Sequence, residues 1–373
     1  MKTSDTPIVK DLVLVGGGHS HVTVLKRFGM KPLPGVRLTL ICRDAHTPYS
    51  GMLPGFVAGH YGYDDAHIDL GALARFAGAR FYHSTVTALD LTAKKVICDD
   101  RPPVPFDLLS INTGSTPNTD NVPGATGNVV PVKPINQFLD RWAALSERAM
   151  ATTDPMNIAV VGAGAGGVEI ALAIQYRLRQ QRAAAGRDDS DIAYHLFGNG
   201  SEILPTNNER VRKTFADVLK ARGVYVHLGE AVVQVAPGRL RTAGGMEIEP
   251  DEILWVTAAG APAWPGEAGL AVDEGGFIKV SDTLQSLSHP DVFSAGDVAA
   301  MVNHPRPKSG VFAVRQGKPL ERNLRRMLLG RAPVPFRPQS KFLGLISTGD
   351  KYAVASRGDW SIKGRLVWQW KDW

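Results

Sequence analysis

The stretch Val13–Leu25, VLVGGGHSHVTVL, decides how the rest of the chain is read. A short apolar run, KDLVLV at 10–15, stops at three consecutive glycines. The segment HVTVLKRF that follows has helical spacing, and VRLTLIC at 36–42 is rich in β-formers. Strand, glycine turn, helix and second strand form the context in which G-x-G-x-x-G closes over a dinucleotide pyrophosphate. The first glycine makes the turn, the second lets the phosphate approach the backbone, and the third lets the helix pack on the strand. Counted from Gly16, Gly18 fills the second place and His21 stands in the third. The histidine challenges the packing of the helix more than the binding of a phosphate, so its side chain must point away or replace a contact.

The same pattern returns 146 residues later. MNIAVVGAGAGGVEIALAIQYRLRQ, from Met156, reads as strand, turn and helix, with Gly162, Gly164 and Gly167 in all three glycine places. DIAYHLFGNGSEILP supplies the next strand. Between the two openings HSTVTALDLTAKKVIC alternates as a hairpin turning at 90–94, and FDLLSINTGSTPN is an apolar strand that ends at Thr113 and Gly114. Proline and glycine punctuate 117–134, a crossing between domains. DEILWVTAAGAPAW and HPDVFSAGDVAA are strands running into small residues, VFAVRQGKPLERNLRRMLLG is a long amphipathic helix, and KFLGLISTGDKYAVASRG is a hairpin turning near Gly349. The tail WSIKGRLVWQWKDW reads as helical, with Ile362, Leu366, Val367, Trp370 and Trp373 on one face and Lys363, Arg365 and Lys371 around it. Such a segment either anchors on a membrane surface or packs on its parent domain.

With 373 residues, 44% hydrophobic and 21% charged, the chain is globular and long enough for two or three domains. The net charge of +6 is scattered in sequence and not blocked, which argues against nucleic acid. No apolar run spans a bilayer and the N-terminus lacks a signal-peptide core, so a cytoplasmic setting is expected. Cys42 and Cys98 are not in C-x-x-C spacing, which speaks against a redox dithiol or a thiolate metal site, and no histidine or acidic cluster suggests a metal. The carboxylate that usually binds a ribose after the second strand is missing in both halves. Cys42 stands in its place in the first, with Asp44 two residues on, and Phe197 or Gly198 in the second.

Four motifs in order, VGGGHS, SINTGSTP, VVGAGAGGVE and SAGDVAA, resemble those of the two-dinucleotide-binding flavoproteins of the pyridine nucleotide-disulfide oxidoreductase superfamily, and the likeness covers nearly the whole chain. Within that superfamily the chain is similar to type II NADH dehydrogenases, which share GVE in the second half. HTPYSGMLPGFVAGHY and LISTGDKYAVASRG further resemble the flavoprotein module fused to selenide, water dikinase, in which GGGHSH is the ordinary first motif. The resemblance implies an α/β chain of two Rossmann-like domains, the second inserted in the first, with a small α+β C-terminal domain. The expected parts are an FAD-binding domain at 1–130 and 259–333, an NAD(P)-binding-like domain at 131–258, and a C-terminal hairpin with an amphipathic segment at 334–373.

Its implications for residues are specific. Gly16, Gly18, His19 and Ser20 would hold the FAD pyrophosphate, Arg43 and Val86 would meet the adenosine, and Thr113 with Gly114 would line the cofactor. Gly296 and Asp297 would take the ribityl chain, and Lys308, Val311 and Phe312 the flavin pyrimidine edge. Gly162, Gly164 and Gly167 would serve NAD(P)H. Tyr49, Ser50 and Met52 would wall the flavin, and Glu169 would lie by the nicotinamide or simply complement its helix dipole. The implied activity passes hydride from NAD(P)H through flavin N5 to a quinone or to a selenium or sulfur acceptor. The alternatives are a selenium-precursor reductase partnered with selenide, water dikinase, and a non-catalytic FAD-bound sensor or docking module.

Overall fold

The computed structural model describes residues 6–257 and 259–372. Trp373, expected on the apolar face of the tail, lies outside the described residues. The chain divides into two compact units. The first comprises Met1–Tyr49, His67–Ser115 and Ala259–Gln339; the second comprises Ser50–Ala66, Thr116–Ala258 and Ser340–Trp373.

The first unit is built on a five-stranded parallel sheet. Lys10–Val15 is central, with Val36–Cys42 and then Arg80–His83 on one side, and Leu108–Ile111 and then Val292–Ser294 on the other. Parallel strands covered on both faces read as continuous apolar runs, and Leu12, Val13, Leu14 and Val15 are all essentially inaccessible. Helices His19–Met30 and Gly310–Leu328 pack along one another. They run parallel, because Ser20 meets Ala313, Thr23 lies at Gly317, and Arg27 meets Glu321, at a nearly constant offset. The approach at Gly317 is close: an added Cβ would sit 2.5 Å from the Thr23 side chain.

The second unit repeats the plan. Met156–Val161 is central, flanked by Ile192–Gly198 with Val224–Leu228, and by Glu252–Trp255 with Val130–Pro131, all parallel. Each unit also carries a three-stranded antiparallel meander, at 86–105 in the first and 232–248 in the second. The hydrophobic period of Ile135, Phe138, Trp142, Leu145 and Ala149 builds a further helix, Ile135–Ala151, that buries those five side chains.

The C-terminal residues 340–372 group with the second unit, as do 50–66. Here the tail departs from its expected helix. Trp360–Gly364 is the third strand of an antiparallel sheet with Gly344–Ser347 and Ala353–Arg357, and only Arg365–Asp372 is helical. The expected apolar face is therefore split. Val367 and Trp368 turn inward, while Ile362 on the strand and Leu366 and Trp370 on the helix are exposed. A five-residue strand and a two-turn helix are each too short for one helical period to span both. Among the described residues no helix is long and apolar enough to cross a membrane.

The structure answers the question posed by His21. In the second unit Gly167 lets its helix come so near the turn that an added Cβ would lie 1.7 Å from the Gly162 carbonyl oxygen. In the first unit the imidazole of His21 fills the equivalent space. Its Nδ1 lies 2.7 Å from the Gly16 carbonyl oxygen and its Nε2 2.8 Å from Ser110 Oγ, and the residue is fully buried. The ring thus ties turn, helix and neighbouring strand. Burial pushes its pKa down from 6.5 to about 4, partly offset by the Gly16 hydrogen bond. Between those values the unfolded chain binds a proton that the folded chain refuses. The stabilisation tied to neutral His21 is therefore complete above pH 6.5 and falls as the pH drops from 6.5 towards about 4. The substitution His21→Gln should cost about 1–3 kcal/mol at neutral pH by disturbing two buried polar partners. It should also flatten this part of the acid-side decline in urea midpoint. A decline as steep as that of the unsubstituted protein would refute the assignment.

Candidate active site

The glycine turns and helix N-termini of each unit build a candidate cofactor cradle. In the first unit everything converges on Asn112, at the end of strand Leu108–Ile111. Its backbone N–H donates to the Val15 carbonyl at 2.8 Å, and its carbonyl accepts the Gly18 N–H at 3.1 Å. Its side-chain Oδ1 accepts the His21 N–H at 3.3 Å, and its Nδ2 donates to the Ala295 carbonyl at 2.6 Å. The approach is too close for side chains opposite. A Cβ on Gly16 would come 2.5 Å from the Asn112 carbonyl oxygen, one on Gly18 2.3 Å from Oδ1, and one on Gly296 2.3 Å from Nδ2. Gly16 and Gly296 also carry φ of +92° and +71°, conformations that favour glycine. Gly16, Gly18 and Gly296 are thus brought together around one residue that the sequence motifs did not single out.

Both parallel helices of this unit point their N-termini at the same region. Neither has a side-chain cap or an acidic residue in its first turn, whereas helices Leu70–Ala77 and Glu209–Ala221 are capped by Asp69 and Asn208. Uncapped N-termini leave N–H donors and the positive dipole end for an anion. His19 opens the first helix with a buried Nε2 that has no hydrogen-bond partner among the described residues, and its ring lies 4.8 Å from that of Tyr49. Burial lowers the His19 pKa, with Asp297 acting in the opposite direction. A neutral imidazole with an orphaned buried nitrogen suits a phosphate or flavin acceptor. Ser20 differs from expectation in its side chain. Its hydroxyl donates to the Ala313 carbonyl at 2.5 Å, so it joins the two helices and leaves only the backbone N–H to offer a phosphate.

Asp297 lies in the short helical turn 296–298, within 3.4 Å of the buried Ser115 hydroxyl. Gln316 fixes the turn by accepting the Gly296 N–H at 2.7 Å. A cavity of about 310 Å³ opens beside it, lined by Asp297, Lys308, Phe312 and Gln316 among others. Lys308 is not a solvated lysine. Its ammonium donates to the Ala299 carbonyl at 2.6 Å and sits 3.8 Å from the centre of the Phe277 ring, and burial lowers its pKa. Val311 is half-buried and Phe312 buried at the helix N-terminus. Thr113 is exposed, and Gly114, at φ +78°, has open space where a Cβ would stand. Val86 starts the meander, half-buried. Arg43 pairs with its neighbour Asp44 at 3.2 Å on the surface.

In the second unit Gly162 repeats the role of Gly16, since its Cβ would meet the Val256 carbonyl oxygen at 2.4 Å. Gly164 opens onto free space, and helix Ala165–Ala184 begins without a side-chain cap. Thr257 Oγ1 nearby is buried with no hydrogen-bond partner among the described residues. Gly198 explains the missing ribose carboxylate in packing terms: a Cβ there would lie 2.8 Å from that of Ala163. Glu169 does not stand open. Its Oε1 accepts the Ser347 N–H at 2.6 Å and the Lys371 ammonium, which ties the helix to the C-terminal segment. Tyr49 belongs to the first unit, whereas Ser50 and Met52 belong to the second, at the start of helix Leu53–Val57. Cys42 and Cys98 are free thiols. Among the described residues no group of three or more His, Cys, Asp or Glu is placed to hold a metal.

Comparison with known proteins agrees with this geometry. The chain is 26% identical to the NADH dehydrogenase-like protein YutJ of Bacillus subtilis, over 97% of this chain and 99% of that one. It is 24% identical to the type II NADH:quinone oxidoreductase of Haemophilus influenzae, over 84% and 82%. In fold it is similar to NDH2 of Plasmodium falciparum in complex with NADH, with a TM-score of 0.82 at 14% identity over 97% of this chain and 93% of that one. It is also similar to the sulfide:quinone oxidoreductase of Aquifex aeolicus, with a TM-score of 0.80 at 16% identity over 98% and 89%. The model of the pyridine nucleotide-disulphide oxidoreductase family matches residues 10–317. Two uncapped glycine turns on twin parallel sheets, and a family match over most of the length, place the chain in the pyridine nucleotide-disulphide oxidoreductase family, as an FAD-dependent NAD(P)H oxidoreductase.

Proposed function

We propose that the protein oxidises NAD(P)H and delivers the electrons to a quinone. The observation that carries the reading is the pair of uncapped glycine turns, one in each unit, in a chain similar to NADH:quinone oxidoreductases and without a C-x-x-C pair. Bound FAD would supply hydride acceptance and onward electron transfer. The residues of the chain position and screen. Gly16, Gly18, His19 and the Ser20 backbone hold the pyrophosphate, and Arg43 and Val86 flank the adenosine. Thr113 and Gly114 line the cofactor, Gly296 and Asp297 receive the ribityl hydroxyls, and Lys308, Val311 and Phe312 border the pyrimidine edge. The N-terminus of helix Gly310–Leu328 stabilises negative charge there by about 0.3–1 kcal/mol if exposed and up to ~2 if partly buried. Gly162, Gly164 and Gly167 take the pyridine nucleotide phosphates, and Tyr49, Ser50 and Met52 would wall the flavin.

The exposed Trp360, Ile362, Leu366 and Trp370, with Lys363 and Arg365 among them, support a peripheral membrane contact where a quinone would be met. The link to a selenide, water dikinase partner rests on sequence resemblance alone.

The purified protein should be yellow, and anaerobic NADH or NADPH should bleach the flavin band, with a quinone restoring it. A protein without flavin would overturn the reading, and a flavin bleached by neither nucleotide would favour the sensor or docking module. Asp297→Ala should lower the flavin content of the purified protein; full retention would count against its place on the ribityl chain. Glu169 admits a sharper comparison. Both Glu169→Gln and Lys371→Met should expose the C-terminal helix to limited proteolysis. Only Glu169→Gln should slow bleaching, by about tenfold or more if the carboxylate moves a proton. Equal slowing in both variants would make Glu169 an anchor of the C-terminal segment and nothing more.

A further inference from the structure

We propose that a cationic groove on the first unit, at the opposite end of its paired helices from the glycine turn, binds an oligophosphate. The groove encloses about 620 Å³ between the C-terminal ends of helices His19–Met30 and Gly310–Leu328 and the returning chain at Phe336. A volume of that order holds a nucleotide-sized ligand. Seven cationic side chains line it against one carboxylate, Glu321, an excess equal to the net charge of the entire chain. Five of the seven lie within 318–331 and two at the end of the neighbouring helix.

Part of this charge serves the fold. Arg27 and Arg325 each hold the buried Glu321 at 2.9 Å, Arg325 also donates to the Lys31 carbonyl, and Arg326 donates to the Ala332 carbonyl at 2.6 Å. Two helix C-termini meet here, and cations complement their dipoles. The remainder is not used in this way. Among the described residues no hydrogen bond or ion pair engages the side chains of Lys318, Arg322 or Arg331. Lys318, Arg322 and Arg326 follow at i, i+4 and i+8 along one helix, where like charges repel and weaken the helix. Arg331 is held in place by the backbone. Gly330, at φ +69°, ends the helix in a Schellman turn, with the Gly330 N–H on the Met327 carbonyl and the Arg331 N–H on the Arg326 carbonyl. A set of unengaged cationic side chains with internal repulsion gains most from a multiply charged anion, and guanidinium matches phosphate oxygens in pairs. Phe336 adds an apolar wall on which a base can rest.

The test uses the flavin-loaded protein, titrated at low salt with sodium tripolyphosphate and separately with ATP, by calorimetry and equilibrium dialysis. The comparison variant carries Lys318→Gln, Arg322→Gln and Arg331→Gln, all exposed changes outside the cofactor turns. The unsubstituted protein should bind, with affinity that falls as salt is added. The triple variant should bind at least about tenfold more weakly, with flavin content and bleaching by NADH unchanged. Tighter binding of ATP than of tripolyphosphate would identify a nucleotide seated against Phe336. Equal binding would identify the phosphate chain as the ligand, and either result supports the site. Binding of neither probe, undiminished binding by the triple variant, or sedimentation with phosphatidylglycerol vesicles in the absence of tripolyphosphate binding would overturn it.

Discussion

Asn112 is the constraint on which the first unit's cradle depends. One side chain and its own peptide group satisfy Val15, Gly18, His21 and Ala295 at once. Val15, Gly18 and His21 belong to one strand end, glycine turn and helix start, while Ala295 follows a strand far along the chain. Each hydrogen bond alone contributes modestly, but a buried partner left unsatisfied costs about 1–3 kcal/mol, so the four groups rise or fall together. The three glycines around Asn112 follow from the same geometry, because no Cβ fits at Gly16, Gly18 or Gly296. The turns are therefore set before any ligand arrives, which reduces the ordering cost of binding.

The parallel pairing of helices His19–Met30 and Gly310–Leu328 extends that constraint in both directions. Ser20 and Ala313 join the N-terminal ends, and Gly317 against Thr23 sets the spacing midway. Because the two dipoles point the same way, positive ends add at the cradle and negative ends add at the far side. The far ends then demand cations, and Arg27, Arg325 and Arg326 supply them. One packing decision thus creates an anion-attracting end by backbone dipoles. It also draws arginine to the other end, beyond what Glu321 and the free carbonyls require.

Strands and glycine helices were legible in the sequence because local signals agree there. Lys10–Val15, Val36–Cys42 and Met156–Val161 are apolar runs cut off by glycine or polar residues, and both faces of a covered parallel sheet want such runs. The twin Rossmann-like plan followed from two such openings. What stayed hidden depends on partners distant in sequence. The use of His21 requires Ser110, and the importance of Asn112 requires Ala295. Helix Ile135–Ala151 carries a clear period, but the proline- and glycine-rich stretch before it masks its start. In the tail, Gly364 at φ +150° breaks the segment, so residues that share a helical spacing lie on a strand and a helix.

The missing ribose carboxylates show how an absence in a motif can have a packing cause. At Gly198 the strand end presses on Ala163, the residue between two glycines of the second turn, and Leu228 closes the other side at 3.1 Å. A side chain at 198 would press on Ala163 and push the turn out of place. In the first unit Cys42 lies similarly close to Gly17, 3.1 Å from where a Cβ would stand, and burial raises its pKa. It is a small, neutral filler beside a turn that must stay tight, and the nearest acid, Asp44, is paired outside with Arg43. In both halves the tight turn takes precedence over the ribose contact. Under the proposed function, recognition of the dinucleotides would fall mainly on pyrophosphate and helix dipole, the part of the site that the fold builds twice.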